Sequence, residues 1–362
     1  MVETQIGKTL TQLLQKINIM SKEINEKTFE LNITNELLNK SKSLIWYLNH
    51  FHRLNMPPLR YRNNISQFMN DVNLFAEGLT QEEESNKLTG GYDVSINYNH
   101  PNGQEGRLMF LQFKAGIRKS YSNKRASKFY RQTARAAGIS PEHVMFTFND
   151  AAEGSQHSTL RSLANRSVIQ AKSVMYVFPR ITEKTVFINK VGNLIPNSSF
   201  VPVLDIDNQA STQTPPIVIN DGISHQYRTS YDGITSEVNY FYFYFLYDNK
   251  IISELLSELI CIQIERFAKI LLNQGRPNLG VFLEIISESF NRFVENELNS
   301  YPSKEVIFAN VNLYINSIGE AYRSDRQIVQ APSKYTTVVP KEGLKLNFEE
   351  KADFSCINYQ LF

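Results

Sequence analysis

Apolar positions change their spacing several times along this chain of 362 residues. Near the start Ile6, Leu10, Leu13, Leu14 and Ile17 recur at helical spacing among polar neighbours, and Met56-Pro57-Pro58 ends that pattern because proline cannot continue a helix. Further on the period shortens. An apolar strand at 108–111 runs into Gln112-Phe113-Lys114 and is broken by Ala115-Gly116, and 143–148 and 173–179 read as two more strands. Between them, Leu160 and Leu163 give 155–166 helical spacing. A Ser/Thr/Gln/Pro stretch at 208–216 reads as a linker. Two amphipathic helices follow, at 251–273, closed by Gly275, and at 279–298, ending at Tyr301-Pro302. The aromatic run at 238–247 could stack bases, but leading straight into an apolar helix it is better read as core. No internal repeat is apparent.

This organisation predicts a helical N-terminal segment over 1–58, an α/β domain over 59–207, a mainly helical domain over 217–330 and an extended tail over 331–362 that docks on the rest. Composition adds little. With 38 basic and 36 acidic residues the formal net charge is +2, so any preference for nucleic acid must come from local clustering. Cys261 and Cys356 lie far apart, which argues against a disulfide framework or a zinc site. The opening MVETQIGKTLTQLLQ lacks a signal pattern and no apolar run reaches membrane-spanning length; the expectation is a cytoplasmic protein without membrane partners.

Candidate chemistry concentrates around Gly90-Gly91-Tyr92-Asp93 and Gln112-Phe113-Lys114. If these segments pair as a hairpin, Asp93 comes close to Gln112, and Lys114, two residues on, shares the same face, because side chains alternate along a strand. A carboxylate, an amide oxygen and an ammonium so grouped can hold a divalent cation and a water beside a phosphodiester. Ahead of Asp93 stand Glu77, on an apolar stretch, and Thr80-Gln81-Glu82-Glu83-Glu84, of which Glu84 is the nearest acid and the preferred further carboxylate, although three consecutive acids are most often a solvated face. His157 is a weaker candidate for a phosphate contact.

Between Arg107 and Pro141 there are nine Lys or Arg and no acid. In a helix over 121–137, Lys124, Lys128, Arg131 and Arg135 would fall on one stripe able to track a phosphate backbone.

The Asp93…Gln112-x-Lys114 spacing resembles the PD-(D/E)XK nuclease superfamily, in the Mrr-like variant where Gln replaces the second acid. The order that follows, Gln156-His157 with Leu160 and Leu163 and then the strand at 174–179, also resembles uncharacterised bacterial proteins of that superfamily. The resemblance covers roughly 80–205 and is one of motifs. It implies a restriction-endonuclease-like mixed sheet flanked by helices, an α/β fold with the N-terminal helical segment and C-terminal helical module attached. It implies Mg²⁺ or Mn²⁺ held by Asp93, Glu84, the Gln112 side chain and the Phe113 backbone oxygen, with Lys114 assisting the attacking water. The expected activity is metal-dependent phosphodiester hydrolysis, with DNA as substrate, as an effector of bacterial antiphage defence. The alternative is a catalytically inactive nuclease-like subunit that binds nucleic acid or assembles a complex through the C-terminal helices, as a homo-oligomer or with a partner protein.

Overall fold

The computed structural model describes residues 22–55, 73–79, 90–98, 105–120, 142–149, 155–206, 218–220, 224–230, 239–273, 278–324 and 326–340. The apolar stripe at 6–17, Glu84, the basic stripe of Lys124, Lys128, Arg131 and Arg135, and Cys356 lie outside the described residues.

The fold is mixed α/β. Helix α1 (Glu26–Asn55) starts where the Asn25 side chain accepts the Thr28 N–H at 2.7 Å, and it buries Ile33, Leu37, Leu44, Ile45 and Leu48 along one stripe. Three antiparallel strands follow: β1 (Leu74–Gly78), β2 (Val94–Tyr98) and β3 (Glu105–Phe113). The chain turns into β4 (Ile117–Ser120), then β5 (Glu142–Asn149), and crosses over through helix α2 (Gln156–Ala164) to β6 (Val174–Pro179), which lies parallel to β3. After the short helix α3 (Lys184–Lys190), β7 (Ser198–Pro202) returns antiparallel to β6. The main sheet therefore runs β1-β2-β3-β6-β7.

A second antiparallel sheet has the order β4-β5-β9-β8, where β8 spans Val218–Asn220 and β9 Ser224–Ser230. The stretch beyond the expected linker thus begins with strands rather than helix. Three long helices follow: α4 (Asn239–Asn273), which takes up the backbone of the aromatic run, α5 (Leu279–Glu297) and α6 (Lys304–Arg323). Beyond α6, strand β10 (Thr337–Pro340) pairs antiparallel with the N-terminal half of β3, Thr337 facing Leu108. The described part of the expected tail docks in extended form.

Alternation along the strands gives the main sheet two different faces. Val94, Ile96, Met109, Leu111, Phe113, Met175 and Val177 turn towards α1, α4, α5 and α6 and join them in one continuous apolar core. Phe110, Val174, Tyr176, Phe178 and Val201 turn the other way, onto Leu160, Leu163 and Ala164 of α2 and Val144 and Phe146 of β5. Leu111 and Val177 are wholly buried, each stabilising the fold by about 2 kcal/mol as area removed from water. Cys261 lies inside α4, its thiol pushed up to about 12 by burial and by the nearby charges of Glu258 and Glu265, which makes it inert. Among the described residues no helix is long and apolar enough to cross a membrane.

Candidate functional site

Asp93 owes its place to the glycine two residues before it. Gly91 has a φ of +90°, and a Cβ there would sit 3.3 Å from the Gln156 carbonyl oxygen, Leu160 Cγ and Thr159 Cβ. The chain thus passes close under the first turn of α2 in a conformation that side chains disfavour. Asp93 follows at the head of β2, its N–H donating to the Leu111 carbonyl at 2.9 Å. Val94 pairs with Leu111, so one step back along the register Asp93 faces Gln112.

The two side chains meet. Asp93 is 9% exposed, and its Oδ2 accepts the Phe113 N–H at 2.7 Å and Gln112 Nε2 at 2.9 Å. Gln112 is 1% exposed, and its Nε2 also reaches the Phe113 carbonyl oxygen at 3.1 Å. Its Oε1 is buried and accepts no hydrogen bond among the described residues. Turning the amide over would set that oxygen against the Asp93 carboxylate, so the donor-to-acceptor contact fixes the orientation. An unsatisfied buried acceptor costs about 1–3 kcal/mol and calls for a reason.

Lys114 stands between the first turns of two helices. Its N–H donates to the Val177 carbonyl at 3.0 Å, continuing the parallel pairing of β3 and β6. Its Nζ donates to Gln156 Oε1 at 2.5 Å and lies 3.7 Å from Glu26 Oε2, and only 11% of the side chain is exposed. Glu26 also accepts the Ala115 N–H at 3.4 Å and pairs with Lys22 at 3.3 Å.

A second polar group extends from Asp93 across β2 to β1. Glu77 pairs with Ser95 in register, which puts Glu77, Asp93, Ser95, Asn97 and Gln112 on one face of the sheet. Glu77 Oε2 accepts Asn97 Nδ2 at 2.7 Å, Asn97 Nδ2 also lies 3.2 Å from Ser95 Oγ, and among the described residues the buried Asn97 Oδ1 accepts no hydrogen bond. Of the two carboxylates weighed in the sequence, Glu77 therefore lies on the face of Asp93; Glu84 is outside the described residues.

His157 does not meet the expectation of a phosphate contact. It is wholly buried, its ring stacks on Tyr176 and its Nδ1 lies 3.1 Å from the Tyr176 hydroxyl, so the imidazole fastens α2 to β6. Sequence reasoning missed Glu26 and the role of Gln156. The Lys22/Glu23/Glu26 cluster after the first polar stretch was the available signal for Glu26, but nothing local ties it to Lys114.

The Asp93 carboxylate and the Phe113 carbonyl oxygen both take Gln112 Nε2, so a hard cation shared by these oxygens and Gln112 Oε1 would require the Gln112 amide to turn over. Among the described residues no three His, Cys, Asp or Glu side chains come together as a metal site. Comparison of the chain with family models, with curated proteins and with solved structures found no match.

Proposed function

We propose that the chain is a metal-dependent nuclease acting on DNA phosphodiesters through a restriction-endonuclease-like core made of α1, β1, β2, β3, α2 and β6. The observation that carries this reading is the buried pairing of Gln112 with the Asp93 carboxylate, the Gln112 Oε1 accepting no hydrogen bond among the described residues, with Lys114 two residues further along the chain. In this reading Asp93, the Gln112 side-chain oxygen and the Phe113 carbonyl hold Mg²⁺ or Mn²⁺, with Glu84 or Glu77 as the further carboxylate. When bound, the cation would lower the pKa of a water and offset charge on the phosphoryl oxygens. Before the cation binds, Gln112 Nε2 and the Phe113 N–H align the Asp93 carboxylate. The Lys114 ammonium, steered by Gln156 and Glu26, stabilises developing negative charge at phosphorus. The acid-free basic stretch carrying Lys124, Lys128, Arg131 and Arg135 would supply contacts to the phosphate backbone. A place among bacterial antiphage effectors follows from the resemblance of motifs alone.

A second reading has its own support. Gln112 donates into Asp93, and no cluster of three ligating side chains occurs among the described residues. That favours a nuclease-like subunit that binds nucleic acid without cutting it. Incubating the chain with plasmid and with RNA in Mg²⁺, Mn²⁺ or EDTA separates the two. Metal-dependent cutting is the result expected for the enzyme; salt-sensitive binding without cutting selects the subunit, and the absence of both cutting and binding overturns both readings.

A further inference from the structure

Beyond α6 the chain runs back across the surface of α4 and returns to the main sheet. The polypeptide over 326–336 has no helix or strand of its own, and Arg326, Gln327, Val329, Gln330, Pro332 and Lys334 are exposed. Only Ala331, Tyr335 and Thr336 are buried before β10 begins. The Tyr314 hydroxyl donates to the Val329 carbonyl at 2.8 Å, and a line of three acids on α4 holds the rest of the segment in place. Glu265 Oε2 accepts the Ala331 N–H at 2.7 Å. Glu258, 3% exposed, accepts the N–H groups of Lys334 at 2.8 Å and Tyr335 at 3.0 Å, together with the Thr336 hydroxyl. Glu254 accepts Lys334 Nζ at 2.6 Å and the Tyr335 hydroxyl at 2.7 Å. Positions 254, 258 and 265 lie within about 40° of one another around a helix of 3.6 residues per turn, so the three carboxylates form a single rail.

The far end of the segment reaches the strands of the candidate site. Thr337 Oγ1 accepts the Gln170 N–H at 2.9 Å and lies 2.7 Å from Ser173 Oγ, one residue before β6, while Thr337–Pro340 pairs with Glu105–Leu108 on the strand that carries Gln112. One short stretch of chain therefore links the helical bundle to both β3 and β6. Ala331 and Tyr335 anchor it in the apolar core and the polar contacts give it direction, while most of 326–334 stays exposed, where local opening is easiest.

We propose that residues 326–340 form a displaceable strap: docked on the α4 acids it keeps β3 and β6 in register, and undocked it loosens β6 and β3, the strand that carries Gln112 and leads into Lys114. Control of activity by this strap rests on the nuclease reading of the site, whereas the mechanical coupling does not. The test is hydrogen exchange by mass spectrometry on the full chain, comparing the parent with Glu258→Gln and Thr337→Val. In Glu258→Gln, exchange should rise roughly tenfold or more over 331–337, 105–113 and 171–177, with 251–273 and 279–323 at parental rates, as for an opening confined to one unit. Thr337→Val should raise exchange at 171–177 and 105–108 and leave 331–335 docked.

Three results overturn the proposal. Release of 331–337 without change at 105–113 and 171–177 would mean that the strap docks but transmits nothing. A uniform rise everywhere would make it part of one cooperative unit, and no rise at 331–337 would mean that Glu258 does not hold it. If Glu258→Gln fails to fold, Thr337→Val decides alone, with parental rates at 171–177 refuting the coupling. A parallel plasmid assay keeps the two readings apart. A parent that cuts should be slowed by Glu258→Gln at unchanged metal dependence, and one that cuts at the parental rate removes the control by the strap; a parent that never cuts removes the nuclease reading and leaves the exchange result standing.

Discussion

Asp93 offers the sharpest separation of structure from chemistry, because asparagine and alanine should fail there in different ways. In the parent, Asp93 Oδ2 accepts two hydrogen bonds, from the Phe113 N–H at 2.7 Å and from Gln112 Nε2 at 2.9 Å. In Asp93→Asn the new amide oxygen keeps the Phe113 N–H. Both contacts go to Oδ2, so the Asn oxygen placed there also keeps Gln112 Nε2 and repairs the pair, while the new NH₂ group replaces Oδ1. Two hydrogen bonds to a charged acceptor become two neutral ones, a loss of about 1 kcal/mol each and about 2 kcal/mol together. Asp93→Ala has no such repair. It strands two buried donors, each costing about 1–3 kcal/mol, so its loss should be about 4 kcal/mol. Urea unfolding of both variants gives the difference directly, provided the m-values match the parent. Plasmid cleavage across a Mg²⁺ titration gives the chemistry: Asp93→Asn, though less destabilised than Asp93→Ala, should not cut, since the indispensable anionic ligand is gone. Equal destabilisation by the two substitutions would refute the hydrogen-bond argument, and parental cutting by Asp93→Asn at low Mg²⁺ would refute the metal site.

Three further outcomes are expected. Gln112→Glu sets a second carboxylate against Asp93, so the variant should melt below the parent in EDTA and be raised by Mg²⁺ more than the parent is; equal Mg²⁺ shifts would argue against a cation between them. Lys114→Ala removes the contact to Gln156 at 2.5 Å and should abolish cleavage while Mg²⁺ still raises the melting temperature; a fully active variant would remove Lys114 from the mechanism. His52, buried against Phe267 with its pKa lowered by desolvation and by Arg53, takes up a proton more readily in the unfolded chain. Its contribution to stability is therefore present above about pH 6.5 and falls as pH drops below that value, by at most about 1.4 kcal/mol per unit, until the folded imidazole also protonates. Urea midpoints at pH 7.5 and 5.5 should show this slope in the parent and a flatter one in His52→Leu; identical slopes would exclude His52 as the source.

The pairing of Asp93 with Gln112 could be read from the chain because it needs only a hairpin and a period of two, both local properties. The parallel placement of β6 against β3 was half legible: a strand, a helix and a strand in sequence suggest a crossover but do not give the register. The second sheet was hidden. β9 pairs with β5, Phe146 facing Tyr227, across a long separation, and the segment between them carries its own strong signals of helix, strand and linker. Glu26 reaches Ala115 across 89 residues, a contact that depends on α1 packing against the sheet and on no feature of either segment alone.

The carboxylates show why the remainder could not be read. In the sequence Glu36, Glu258 and Glu265 are acids on amphipathic helices, where the ordinary expectation is a solvated face. In the fold they are 5%, 3% and 2% exposed. Burying a carboxylate is tolerable only where donors replace its water, and here the donors come from far along the chain: Leu194 and Tyr301 for Glu36, Lys334 and Tyr335 for Glu258, Ala331 for Glu265. Most of those donors are backbone N–H groups, which every residue but proline possesses, so they leave no mark on composition or periodicity. Asp93 follows the same rule, taking the Phe113 N–H, and became legible only because the donor lies one hairpin away. Burial of charge in this fold is thus decided by which backbone segment arrives beside an acid. Replacing any of these four acids by an apolar residue of similar volume should destabilise the chain, because the donors would remain buried and lose their acceptor.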